Sequence, residues 1–416
     1  MTPGDSSSAA NTPRTLRQLL TPAVRFFLLV LAGCCLFAQF PGLRRNLGMA
    51  ESRTWFLDSY AVLASSDAVR AGLDPFLPNP LDVFQRPHSY SRWWFLLGDL
   101  GLTRQDNFLV GGIWVLLFFT AVFALLRPRG FAESAWYAAL VLSPPVLLAV
   151  LRANNDLVIF ALLVAGLLAG AGANRRTGWF SVALVLATGL KFYPLVAGAA
   201  LLLVRPSRRM LVAGGLTLLA GGLTLAAVWH DMQRAVVPWP VSIHTLGAGV
   251  IFRDLGWEKG TGLAATVIIL PLLAALGWQR RWSINLTGTD ADLGERMGFV
   301  AGATVLLACF VAGISHSYRL IFVLLLAPWL WRQRNSLPGR LLAALLLAVL
   351  WLDGVFCLVV NLVIMPRSEA AVDHLQRTWH LWTQPLHWLG LGLLAGALLG
   401  MALQTWRDSR QVGGNR

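Results

Sequence analysis

Charge is what this chain has least of. Acidic and basic residues make up 13% of its 416 residues against 56% hydrophobic, with a mean hydropathy of +0.62. That excludes a soluble globular protein and points to a polytopic membrane protein. Lysine is nearly missing: Lys191 and Lys259 are the only two, so arginine carries almost all the positive charge. The four cysteines, Cys34, Cys35, Cys309 and Cys357, all sit in apolar runs without ligand spacing, which excludes a disulfide framework. No cluster of acids and histidines shows metal-ligand spacing either, so neither a metal nor another cofactor is expected. No internal repeat is visible, which weakens a transporter built from inverted repeats.

What is present is a series of apolar stretches, most near the length of roughly 20 residues that a membrane span needs. The net charge of +14 would suggest a nucleic-acid partner in a soluble protein. Here the arginines sit mainly at the ends of apolar runs, where they set topology and meet lipid headgroups, so no nucleic-acid partner is expected. Leu31-Ala32-Gly33-Cys34 matches a lipoprotein cleavage box, but the apolar run continues past it to Phe40 and is read as one span.

The expected architecture is all-α, with about 12 transmembrane segments and one large first extracytoplasmic loop. Residues 1–20 read as a disordered cytosolic tail, 21–405 as a single membrane domain with its first loop at 41–106, and 406–416 as a cytosolic tail. Spans are expected near 23–40, 107–126, 135–151, 157–173, 209–229, 262–278, 297–314, 320–331, 340–363 and 385–405. Arginines near 127, 175, 208, 280, 332 and 407 fall on one side only if 178–204 crosses twice or re-enters. Lys191-Phe192-Tyr193-Pro194 lies in that stretch, and the proline disfavours helix just before it. Both termini are then cytosolic.

The opposite, extracytoplasmic side collects the polar residues. In the first loop, Trp55-Phe56-Leu57-Asp58-Ser59-Tyr60 places a carboxylate among aromatics. An apolar setting raises a carboxylate's proton affinity and suits a general base; the plainer alternative is that Asp58 caps an interfacial helix. Arg152-Ala153-Asn154-Asn155-Asp156 joins two spans with almost no room for a loop. It offers helix caps and, at a helix N-terminus, a cation, two amides and a carboxylate for an anionic ligand. Lys191 at a broken helix suits a phosphate contact, or snorkels to the interface. Ser315-His316-Ser317-Tyr318-Arg319 brings His316 and Arg319 to the start of a late span, as ligand groups or as interfacial anchors.

The run LRANNDLVIFALLVAGLLAG, followed by GWFSVALVLATGLKFYPLVAGAALLL, resembles the core of glycosyltransferase family 87, in the GT-C class of polytopic glycosyltransferases that use polyprenyl-phosphate sugars. HSYRLIFVLLLAPWL is similar to a second stretch of such proteins. Where many of them have a glycine and a glutamine before the first asparagine, this chain has Arg152 and Ala153. The resemblance implies an inner (plasma) membrane enzyme that moves mannose or a pentose from a polyprenyl-phosphate donor to a lipid or glycan acceptor, with inversion. It implies a catalytic aspartate in the first extracytoplasmic loop, where Asp58 stands. Transfer also needs a base for the acceptor hydroxyl and cations for the departing phosphate, which assigns Asp58 as base with Lys191, Arg319, Arg152 and His316 around the donor phosphate. Asn154, Asn155, Asp156, Tyr193 and Tyr318 would then meet sugar or acceptor, and tryptophans such as Trp93 and Trp94 would line a groove for the lipid. The alternative from a different class is a transporter or flippase of lipid-linked saccharides, which also needs broken helices and buried cations.

Overall fold

A computed structural model describes residues 21–49, 55–169, 173–204, 208–235, 244–279, 293–312, 314–364 and 369–413. The expected tail at 1–20 lies outside them. The described chain is a helical multi-pass membrane protein. Helix α1 (Pro22–Gln39) starts with proline in its first turn and Thr21 as cap, whose hydroxyl accepts from the Val24 amide at 3.3 Å. It packs on the helix at 131–141. The first loop is not irregular: it carries α2 (Leu57–Arg70), a turn at Gly72 with φ 73°, and a 3-10 turn at Arg92–Phe95. Asp67 sits on the α2 surface beside Arg70, and Asp74 makes a turn by accepting from the Phe76 amide at 3.0 Å.

Helix α3 (Asn107–Leu125) follows, and then a pair, α4 (Phe131–Val141) and α5 (Pro144–Arg152), bent by 55° at their break. The expected single span at 135–151 is therefore broken, because Pro144 and Pro145 cannot continue the hydrogen-bond ladder of α4. Helices α6 (Asp156–Leu168) and α7 (Ala173–Leu190) pack side by side. At Lys191 the chain turns through a 3-10 stretch, Tyr193–Gly198, into α8 (Ala199–Leu203). It doubles back: a Cβ on Gly198 would stand 3.3 Å from Leu184 of α7. The break expected at the Lys-Phe-Tyr-Pro motif is thus present as a reversal.

Helix α9 (Arg208–Ala227) leads to a strand β1 (Thr245–Leu246), a short α10 (Gly249–Asp254) and α11 (Lys259–Gln279). Then come α12 (Leu293–Val311), strand β2 (Ser315–His316), a 3-10 turn at Ser317–Phe322, α13 (Val323–Arg332) and α14 (Leu337–Val359). The last described element is α15 (Glu369–Gly413), which continues into the stretch expected as a cytosolic tail. β1 and β2 pair antiparallel, Thr245 opposite His316. Among the described residues, six helices are long and apolar enough to cross a membrane, or seven with the bent pair, and α6, the 193–203 segment and α11 add shorter apolar helices.

Packing between spans cannot draw on the hydrophobic effect in lipid, so close approach at small residues matters. Gly166 of α6 lies against α7, where a Cβ would come within 2.8 Å of Ala183. Gly111 of α3 leaves room for the ring of Phe56, just before α2. We expect Gly111→Leu to cost about 1–3 kcal/mol by overpacking, read as a lower unfolding temperature of the detergent-solubilised protein.

Candidate functional site

The polar residues meet where five chain segments reach the same end of the bundle. Asp58 lies in the first turn of α2 and is 3% exposed. Its position is fixed on three sides: Ser59 Oγ donates to Asn107 Oδ1 at 2.6 Å, Asn107 Nδ2 donates to the Trp55 carbonyl, and the Phe56 amide donates to the Leu151 carbonyl at the end of α5. Two residues without glycine's freedom hold a left-handed backbone beside it, Phe56 at φ 60° and Ala153 at φ 41°. Such strain persists only where the surroundings over-determine it.

Arg152 closes on Asp58 with both prongs, Nη2 to Oδ1 at 2.6 Å and Nε to Oδ2 at 3.0 Å, and Asn154 Nδ2 donates to Oδ2 at 2.6 Å. Arg86, from the first loop, stands 3.7 Å away on Oδ1 and is held by Asp82. Burial pushes the Asp58 carboxyl up, but the Arg152 charge and hydrogen bond, the Arg86 charge and the Asn154 amide outweigh it and bring it down to about 2. The expectation of a raised proton affinity is corrected: the aromatic neighbours are real, but two guanidinium groups decide the sign. Arg152 is engaged by Asp58 through Nε and Nη2. Asp58 is also not a helix cap, since Phe56 occupies that position without a side-chain bond.

A second ion pair sits beside the first. Asn154, Asn155 and Asp156 are fully buried; Asn155, rather than the expected Asn154 or Asp156, stands at the cap position of α6 without a side-chain bond, and Asn154 Oδ1 accepts from the Asp156 amide at 2.9 Å. Lys191 Nζ donates to Asn155 Oδ1 at 2.7 Å and to Asp156, and the Tyr193 hydroxyl donates to Asp156 as well. Lys191 does not snorkel: it is 5% exposed and lies 5.2 Å from the Tyr90 ring and 5.7 Å from that of Tyr193. The Arg319 guanidinium also lies over the Tyr193 ring, 5.2 Å from its centroid. Its charge acts on Asp156 and Lys191, while the Asp58 charge acts on Lys191, His316 and Tyr318. His316 stacks on Tyr318 at 5.2 Å between ring centroids. All ten residues singled out from the sequence therefore fall in one neighbourhood, although 261 positions separate Asp58 from Arg319.

Several buried polar atoms in this neighbourhood have no partner: Asn155 Nδ2, Asp156 Oδ2 and Arg319 Nε, with Ser317 Oγ, His244 Nδ1 and Thr245 Oγ1 around the strand pair. Orphaned buried groups are costly and mark a place where a ligand or water completes the bonding. The arrangement offers a cationic donor, an amide donor and a carboxylate acceptor, a set suited to an anion next to a hydroxyl-rich group. Sequence reasoning missed Arg86, Tyr90, Ser317, His244 and Thr245. Trp93 and Trp94 pack against the end of α7, where Trp94 Nε1 donates to the Leu190 carbonyl at 3.0 Å. Among the described residues, no group of three His, Cys, Asp or Glu side chains is placed to hold a metal. Comparison of the chain with family models, with curated proteins and with solved structures finds no match.

Removing one partner of a buried pair strands the other. Arg152→Met is expected to cost about 3–5 kcal/mol, and Arg152→Met with Asp58→Leu less than the single change, measured by unfolding in detergent. A pH effect also follows. Burial, and for His316 also the Arg152 charge, holds His88 and His316 down to about 4. The unfolded chain protonates them near 6.5, so it binds more protons between the two values. Their contribution is full above pH 6.5 and falls, by about 1 kcal/mol per pH unit per histidine, as pH drops toward 4. The unfolding temperature should decline from pH 7 to 5, with a shallower slope in His88→Gln.

Proposed function

We propose that this protein is an inverting glycosyltransferase of the GT-C type, which moves mannose or a pentose from a polyprenyl phosphate to a lipid or glycan acceptor. The observation that carries the reading is that Asp58, in the first turn of α2, shares one neighbourhood with Lys191, just past the end of α7, and Arg319, in the turn before α13. In the proposed step the acceptor oxygen attacks the anomeric carbon and the bond from that carbon to the phosphate oxygen breaks. Its electron pair leaves with the polyprenyl phosphate, and the acceptor proton passes to Asp58. Arg319, whose Nε has no partner, meets the charge that grows on the phosphate, with Lys191 behind it. A carboxylate near 2 is a weak base, so proton transfer comes late, after the anomeric carbon has become electron-poor enough to acidify the attacking hydroxyl.

Helix length supports a substrate carried in the bilayer. Thirteen residues of α6 rise about 20 Å, against roughly 30 Å of hydrocarbon. Asp156 at its start then lies below the membrane surface, within reach of a lipid-borne phosphate. Beside the strand pair, an apolar cavity of about 360 Å³ lined by Phe252, Trp257, Leu263 and Ile314 suits a lipid chain. We assign about twelve crossings, cytosolic termini and an extracytoplasmic site in the plasma membrane. The arginine-rich ends of α3, α7 and α13 face the opposite side.

The test is release of polyprenyl phosphate by the purified protein from radiolabelled polyprenyl-phosphate mannose or pentose with extracted membrane lipids. Asp58→Asn and Arg319→Gln should each lower release by about 10²–10³-fold. Undiminished release in Asp58→Asn would remove Asp58 as the base. No release with any sugar or acceptor, together with donor crossing in proteoliposomes, would favour the transporter.

A further inference from the structure

The same helices that present the polar site carry arginine at their other ends. α7 has Lys191 just past one end and Arg176 near the other, and α13 runs from the turn holding Arg319 to Arg332. These separations, about 15 residues, place the two ends roughly 20 Å apart along the helix axes. At the arginine end, the termini of α3, α4, α6, α7, α12 and α13 surround a cavity of about 920 Å³. Arg127, Arg129, Arg176, Arg332 and Arg334 line it, against two carboxylates, Glu133 and Glu295, a net of three positive charges.

Both carboxylates are engaged. Glu295 accepts from Arg332 Nη2 at 2.8 Å, and Glu133 accepts from the Tyr137 hydroxyl and from the Arg129 backbone amide, each at 2.8 Å. Among the described residues no carboxylate pairs with the guanidinium of Arg127, Arg129 or Arg176; Arg127 Nε donates to the Ala124 carbonyl at 2.9 Å, and Glu295 pairs with Arg332. Arg176 Nε is buried without a partner. Gly294 makes room for that side chain, since a Cβ there would come within 2.9 Å of Arg176 Nη1. The first amides of α4 open on the same cavity, as Gly130 caps that helix without a side-chain bond. Arginines that only set topology need no shared cavity and no carboxylate accounting. These converge, keep a space open and leave charge uncompensated inside it.

We propose that the arginine end of the bundle is a second ligand site, separate from the candidate transfer site, that holds a phosphate-bearing anion between Arg129 and Arg176. Guanidinium forks match phosphate oxygens in pairs, and the cavity is large enough for a headgroup or a small phosphorylated solute. The proposal does not depend on sugar transfer at the other end.

The experiment uses the purified full chain in an uncharged detergent, with inorganic phosphate or phosphatidylglycerol as probe and sodium chloride at matched ionic strength as reference. Thermal unfolding reports binding to the folded state, and native mass spectrometry counts retained lipid. Phosphate or phosphatidylglycerol should raise the unfolding temperature above the chloride reference. Arg129→Gln and Arg176→Gln should each raise the half-saturating concentration about tenfold, the loss of one charged hydrogen bond. Gly294→Ala, which displaces the guanidinium while keeping its charge, should weaken binding too, and Arg208→Gln, outside the cavity, should not. Action by inorganic phosphate identifies a soluble phosphoryl ligand as sufficient, and action by phosphatidylglycerol alone identifies a lipid headgroup. A wild-type response equal to chloride, or cavity variants indistinguishable from Arg208→Gln, would overturn the site.

Discussion

Two carboxylates buried among apolar helices, Asp58 and Asp156, dictate much of the architecture around them. A carboxylate buried among hydrocarbon needs cations or amides at hydrogen-bond distance. Arg152 and Asn154 serve the first, Lys191 and Tyr193 the second, and Asn155 bridges toward Lys191. Because these partners lie at chain reversals, satisfying the charges draws the ends of α5, α6 and α7 together. The start of α2 is pulled down onto them. The first loop is held there by further contacts, including Arg92 on Asp231 at 2.6 Å, which ties it to the stretch after α9.

The same economy explains which groups remain available. Arg152 and Lys191 have carboxylates of their own, whereas Arg319 has the face of Tyr193 and an unpartnered Nε. The strained backbone at Phe56 and Ala153 flanks the Asp58 pair from both sides. Packing and the bonds through Ser59, Asn107 and Leu151 hold that strain in place, which is how a site keeps its geometry before a ligand arrives.

Much of this was legible in the sequence. Spans at 23–40, 107–126 and 297–314 match α1, α3 and α12 closely, since long apolar runs leave little choice but helix in lipid. Asp58, Arg152, Lys191 and Arg319 stood out because charge inside or next to hydrocarbon is costly. Their mutual pairing was not legible. Whether Arg152 faces a ligand or Asp58 depends on a contact across 94 positions, and that contact reversed the expected proton affinity of the carboxylate. Arg86 and Tyr90 were hidden among many polar residues of the first loop. Ser317, His244 and Thr245 gain meaning only from a two-residue strand pair, which carries no periodic signal. The number of crossings was obscured by helix breaks at Pro144 and Lys191, where hydropathy continues although the helix does not.

The two ends of the bundle thus differ in chemistry: paired charges with orphaned donors at one, uncompensated arginines around an open cavity at the other. On the proposed reading, Arg319 and Lys191 receive the phosphate of a lipid-linked sugar beside Asp58, and a structure of the protein with bound polyprenyl phosphate decides it. A phosphate oxygen is expected at hydrogen-bond distance from Arg319 Nε, with Asp58 facing it across the space for a sugar ring. A phosphate bound away from Arg319 and Lys191, with Asp58 shielded from it, would overturn that reading.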